Sequence, residues 1–182
     1  MVKVLGVSGS PRKGNSFAML EAALEGAREA GAEAYDIVFP NKMNFKGCQS
    51  CMGCRETGVC VLKDDMTPVY DQLREADVWI YATPIYFDDI SGQLKLFNDR
   101  HFCFSQKKME SKKKGAMIIT YGDKKRDDYI NNIGKYLGYF GWAAEFTHTE
   151  AIEGWGLMEK GDVKGHPEFL EKARELGKML VE

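Results

Sequence analysis

Short apolar runs alternate along the chain with segments whose apolar residues recur every three or four positions. Val2 to Val7 is the first run, and beyond a polar loop Phe17, Leu20, Leu24 and Ala27 mark one face of a helix that Gly31 closes. Further strands are predicted at Ala32 to Val38, Asp77 to Thr83, Gly115 to Thr120 and Ala143 to Thr149. Helical spacing returns at Met66, Val69, Tyr70 and Leu73, at Leu94 and Phe97, and at Ile130, Ile133, Leu137 and Phe140. Asp64-Asp65 supplies an N-cap and first-turn charge to the second helix. Pro167 opens a last helix with Phe169, Ala173, Leu176 and Leu180 inward. Strands alternating with helices predict an α/β fold, a doubly wound parallel sheet of five strands. It forms one domain over residues 1–182, with neither linker nor repeat.

In such a sheet the loops that follow the strands gather at one edge. The first runs from Ser8 to Ser16, Ser-Gly-Ser-Pro-Arg-Lys-Gly-Asn-Ser, and aims backbone N–H groups and a helix N-terminus at one place. It lacks the G-x-G-x-x-G fingerprint, and Asn15-Ser16 follows Gly9-x4-Gly14 where a P-loop needs lysine. Ser8, Ser10, Arg12, Asn15 and Ser16 instead suit a single terminal phosphate. A capped turn with no ligand is the plain alternative. At the end of the third strand, Pro84 is expected to stop the pairing and leave Ile85, Tyr86 and Phe87 in a loop, where exposed rings call for a ligand; rings packed into the core are the plain alternative. Tyr121-Gly122-Asp123 forms a third loop at the same edge.

The cysteines change the picture most. Cys48, Cys51, Cys54 and Cys60 make a C-x2-C-x2-C-x5-C run inside thirteen residues, four of the five cysteines in the chain. Without a secretory start, that bunching points to metal or redox chemistry rather than a disulfide framework. A four-thiolate set suits an iron–sulfur cluster or zinc. Successive x2 spacings are similar to the bacterial ferredoxin run, but the proline after the last cysteine is absent, since Val61 follows Cys60. Four ordinary loop thiols are the remaining reading.

At 182 residues and net charge −2, the chain is expected to be cytoplasmic, with no signal peptide or membrane span and no nucleic acid as its main partner. Lys107, Lys108, Lys112, Lys113 and Lys114 form a basic patch, a solvated connection or a docking surface for an acidic protein. Cys103 reads as a buried thiol and His148 as structural. No Ser-His-Asp or paired-carboxylate arrangement supports a hydrolase.

The stretches Gly9 to Ser16, Thr83 to Phe87 and Ser91 to Arg100 together resemble the flavodoxin-like reductases of the NADPH-dependent FMN reductase group. With Cys48, Cys51, Cys54, Cys60 and Asp64-Asp65-Met66, the chain is most similar to the iron–sulfur flavoproteins of anaerobes and archaea. The resemblance implies strand order 2-1-3-4-5, with FMN at the carboxyl edge between strands 1 and 3. It implies phosphate contacts from Ser8, Ser10, Arg12, Asn15 and Ser16. Thr83, Pro84, Ile85, Tyr86 and Phe87 would lie against the flavin ring, with Tyr121 and Gly122 on its other side. It further implies a [4Fe-4S] cluster on the four cysteines, assembly as a homodimer or homotetramer, and electron transfer between cluster and FMN, with ferredoxin or NAD(P)H as donor. The alternatives are an NAD(P)H-dependent FMN or quinone reductase without a cluster, and a non-catalytic redox carrier.

Overall fold

A computed structural model describes residues 1–107, 109, 111–144 and 146–182, with all their side chains except those of 140–143. The elements run β1 (Lys3–Ser8), α1 (Asn15–Glu29), β2 (Glu33–Ala34), α2 (Met66–Glu75), β3 (Val78–Tyr86), β4 (Asp89–Ile90), α3 (Gly92–Asp99), α4 (Phe102–Gln106), β5 (Lys113–Thr120), α5 (Asp127–Ala144), β6 (Phe146–Gly154) and α6 (Pro167–Val181). The parallel sheet has the order β2-β1-β3-β5-β6, which is the expected order once the short antiparallel β4 is set aside.

Strict alternation in the strands explains the three layers. Val4, Val78, Ile80, Ala82, Ala116 and Ile118 belong to the core under α1 and α6, while Leu5, Val7, Trp79, Tyr81, Met117 and Ile119 belong to the core under α2 to α5. A sheet covered on both faces needs apolar residues at both parities, so these strands read as continuous apolar runs. Gly177 lets α6 lie directly on α1, because a Cβ there would collide with the Ala23 carbonyl.

Several boundaries differ from expectation. Pro84 does not end its strand: β3 continues to Tyr86, and Pro84 pairs with Thr120 of β5. β1 pairs with β3 only as far as Ala82 and β4 only from Ile85, so Pro84 has β5 alone as its strand neighbour and the missing N–H is tolerated there. Ile85 and Tyr86 therefore lie on a strand, and Phe87 lies with Asp88 in the turn to β4. The second strand shrinks to Glu33–Ala34 plus a lone bridge between Val7 and Val38. The fifth long strand is Phe146–Gly154, because α5 runs on to Ala144. His148 lies on that strand, exposed. The helix marker Phe140 falls outside the described side chains, and Lys108 outside the described residues. The basic patch is broken at Lys113, which is buried on β5 with its Nζ donating to the Arg74 carbonyl and the Ser111 hydroxyl. Cys103 is buried, as expected. Among the described residues, no helix is long and apolar enough to cross a membrane.

Candidate functional site

The carboxyl ends of β1, β3 and β5 open onto a crevice of about 360 Å³. All the expected cofactor residues line it except Ser8 and Thr83. That volume lies within the range of small-molecule sites.

The loop after β1 is held from below and from the side. A Cβ on Gly9 would stand 2.6 Å from the Leu94 Cβ, so only glycine lets the loop pass α3. Ser91, at the N-cap of α3, donates to the Gly9 carbonyl at 2.5 Å and accepts from the Leu94 N–H at 3.2 Å. Ser10 Oγ donates to the Arg12 carbonyl at 2.7 Å and accepts from the Arg12 N–H, making a tight polar turn. Gly14 caps α1 without a side chain, which leaves the helix N-terminus with no side-chain cap of its own.

The predicted phosphate residues divide into distinct roles. Ser16 Oγ shares a 2.7 Å hydrogen bond with Thr120 Oγ1 at the crevice floor. Arg12 reaches out of its loop, with Nη2 3.4 Å from the Met158 carbonyl. Asn15 lines the crevice, but its amide is committed to the chain after β6. Nδ2 donates to the Leu157 and Glu159 carbonyls, and Oδ1 accepts from the Gly161 and Val163 N–H groups. Ser8 is fully buried beneath the loop, and its Oγ has no hydrogen-bond partner among the described residues. Thr83 is also buried, with Oγ1 accepting from the Ser91 N–H at 3.1 Å.

The opposite wall is a two-residue hairpin. Ile85 and Tyr86 pair with Ile90 and Asp89, and the central residues Phe87 and Asp88 have φ of 49° and 62°. Two left-handed central residues define a type I′ turn, which normally takes Asn-Gly. Here the turn carries a fully exposed Phe87. Helix α5 braces it: Tyr129 donates to Asp88 at 2.5 Å and Tyr136 to Asp89 at 2.9 Å. Tyr121 forms the third side. Its hydroxyl donates to the buried Glu153 at 2.8 Å and accepts from the Arg126 N–H, and burial pushes its pKa up to about 12. Tyr121 thus meets the crevice as a fixed, neutral ring.

Sequence reasoning missed Thr120, Asp88, Tyr129, Leu157 and Met158, and named Asp123 only as part of its loop; all of them line the crevice. Leu157 and Met158 lie in the turn-rich stretch that pattern reading passes over as a connection. Asn15 at a helix start was the usable signal, since a buried amide there needs partners from elsewhere.

The four cysteines gather on the α2–α4 side, around a small recess shared with Arg100 and Cys103. Cys48 and Cys51 are exposed, Cys54 is buried and Cys60 is half-buried. Ser50 and Met52, with φ of 52° and 59°, bend the backbone between the first three. Burial pushes the Cys54 thiol up. Burial acts on Cys60 in the same direction, but bonds from the Leu62 N–H, Tyr70 and Arg100 outweigh it and hold that thiol below its usual range. The cation beside the thiols is therefore Arg100, whereas Lys46 contributes its carbonyl. Among the described residues, no three His, Cys, Asp or Glu side chains stand close enough to hold a single ion. What the loop presents is a thiol-lined recess rather than a closed ion site.

A doubly wound sheet of this order, with its crevice where the connections from β1 and β3 diverge, defines a flavodoxin-like protein. Comparison with known proteins agrees. Residues 2–128 match the family model described as NADPH-dependent FMN reductase. An iron–sulfur flavoprotein from Methanosarcina thermophila is 38% identical, with 98% of this chain and 95% of that protein covered. One from Archaeoglobus fulgidus is 32% identical over 100% of this chain and 80% of its own length. The chain belongs to the iron–sulfur flavoprotein family within the NADPH-dependent FMN reductases, and is a flavin-dependent oxidoreductase. Among solved structures, an NAD(P)H:quinone oxidoreductase from Methanothermobacter marburgensis superposes with a TM-score of 0.80 at 20% identity, covering 99% of this chain and 96% of that one. An azoreductase from Bacillus anthracis in complex with FMN gives 0.68 at 13% identity, with 100% of both chains covered. These two likenesses bear on the fold.

Proposed function

We propose that the crevice holds FMN, that Cys48, Cys51, Cys54 and Cys60 hold a [4Fe-4S] cluster, and that the protein passes electrons between the two. The observation that carries this reading is α3. Its first turn is bonded to the phosphate loop through Ser91, and the residue after its last turn, Arg100, is bonded to the cysteine loop. Ser91 and Arg100 are separated by roughly 14 Å of helix at 1.5 Å per residue. One rigid element thus holds both candidate sites in fixed relation.

The residues fit both groups. The N-terminus of α1, the turn at Ser10, Arg12 and the Ser16–Thr120 pair offer donors to one phosphate, and Ser8 keeps an unused hydroxyl beneath the same loop. Asn15 serves this site indirectly, by holding residues 157–163 against it. Pro84 to Phe87 and Tyr121-Gly122 supply two walls for a flat ring, and Met158 lines the same crevice. Those walls exclude water from the ring's faces. Four thiols around one recess match an iron–sulfur cluster in donor type and number. When bound, the flavin exchanges hydride or single electrons, and a cluster moves single electrons. NAD(P)H and a ferredoxin-like protein are the donors this reading admits, and a homodimer or homotetramer is the assembly it takes from the family resemblance.

Cys51→Ser tests the assignment. The exposed Cys51 lies far along the chain from the phosphate loop, so the variant loses iron, keeps FMN and no longer accepts electrons from a ferredoxin-like donor. A variant that accepts them at the parental rate refutes the cluster's part, and a plain NAD(P)H-dependent flavin reductase then takes its place.

A further inference from the structure

Arg100 has its side chain fully enclosed, and all five of its N–H groups find acceptors. Nε donates to the Tyr70 hydroxyl at 3.0 Å. Nη1 donates to the Lys46 carbonyl at 2.8 Å and to Asp64 Oδ2 at 2.6 Å. Nη2 donates to Asp64 Oδ1 at 3.1 Å and to Cys60 Sγ at 3.5 Å. Lys46 lies two residues before Cys48, and Cys60 and Asp64 lie at the far end of the same loop. One guanidinium therefore grips both ends of the cysteine loop and ties them to α2 and α3. Asp64 is committed in turn, since it also accepts from the Met66 N–H at the start of α2.

We propose that Arg100 is a positioning residue of the four-cysteine site: it fixes the two ends of the loop and, by donating to the Cys60 sulfur, raises the reduction potential of the cluster held there. This inference rests on the cluster reading above. The charge balance gives the direction. The Arg100–Asp64 pair is neutral by itself, and each electron added to a thiolate-ligated cluster makes it more negative. An N–H bond to a ligand sulfur, from a cationic group in a low-dielectric setting, favours the reduced state more than the oxidised one. The planar fork is also what allows one side chain to meet a carboxylate with two nitrogens and still reach a carbonyl, a hydroxyl and a sulfur. A lysine at this position has three donors around one point and can hold only part of that set.

Three variants, Arg100→Lys, Arg100→Met and Asp64→Asn, separate the two halves of the proposal. The first measurement is amide hydrogen exchange over residues 46–64 in metal-free protein, parent against Arg100→Lys. Exchange about tenfold faster or more is expected in the variant, since the loop loses bonds at both ends. Parental exchange overturns the clamp. The second is the midpoint potential of the iron-loaded protein, followed by its visible spectrum. Arg100→Met removes the cation and is expected to lower the potential, whereas Asp64→Asn removes a negative charge and is expected to raise it. A loosened loop alone gives no such opposition of sign, so unchanged potentials or shifts in one direction overturn the electrostatic half. Should Arg100→Met fail to fold, Arg100→Lys is measured instead, with a smaller downward shift expected from the lost sulfur bond. A parent that binds no iron refutes the cluster reading and the electrostatic half with it, while the exchange measurement still judges the clamp.

Discussion

Asn15 sits at the first turn of α1, among residues suited to an anion, yet its side chain makes four hydrogen bonds to residues 157–163. Asn15→Ala is therefore expected to act first on stability. Urea unfolding of the flavin-free protein should show a loss of about 2–4 kcal/mol, because buried partners are left unpaired. An unchanged unfolding midpoint would mean that the amide's bonds are not what holds that segment. The direct phosphate contacts are assigned instead to Arg12 and Ser16, and Arg12→Ala with Ser16→Ala is expected to weaken FMN retention by about 2–4 kcal/mol in total. Retention equal to the parent's refutes that placement. His101 gives a pH prediction. It is sealed in an aromatic cluster with Trp79, Phe97 and Phe104, and burial lowers its pKa to about 4. The unfolded chain takes up this proton near pH 6.5 and the folded one only near 4. The contribution of neutral His101 is thus complete above pH 6.5 and is lost as pH falls toward 4, by about 3 kcal/mol in all. Unfolding free energies at pH 7 and 5 check this, and His101→Gln should flatten the difference.

The β3–β4 hairpin shows a conflict between local preference and position. Phe87 and Asp88 occupy left-handed backbone that favours glycine or asparagine, and the exposed Phe87 ring gains nothing from packing in return. Phe87→Gly is therefore expected to stabilise the flavin-free protein by up to about 1 kcal/mol and to weaken FMN binding. A variant that is less stable, or that holds flavin as tightly as the parent, contradicts this account of the turn. The same hairpin marks the limit of what pattern reading reveals. Continuous apolar runs made the central strands legible and three-to-four spacing made most helices so, and the order of loops brought Ser10, Arg12, Ser16, Pro84, Tyr86 and Tyr121 to one edge. A two-residue turn of Phe-Asp carries no turn signature, so the hairpin stayed hidden. β6 was misplaced for another reason. It is an edge strand whose first residues, Thr147, His148 and Thr149, face solvent, and only Ile152 to Gly154 are buried. An edge strand of that kind lacks the apolar pattern that betrays a central one. Contacts between distant segments, such as Asn15 with residues 157–163 or Arg100 with Cys60, have no local signal at all.

At the scale of the whole molecule, the sheet order and α3 decide the arrangement. β1 and β3 deliver the Ser10–Ser16 loop and the Pro84–Phe87 wall to one crevice, and α3 leads from that crevice to the thiol recess. The central claim is that one chain carries both cofactors, one at each end of that helix. Protein prepared without oxygen and assayed for FMN, iron and acid-labile sulfide, alongside its absorption spectrum, tests this most directly. The account predicts one FMN with about four irons and four sulfides per chain, and a broad visible absorption beneath the flavin bands. Flavin bands alone, with no iron above background, would contradict it.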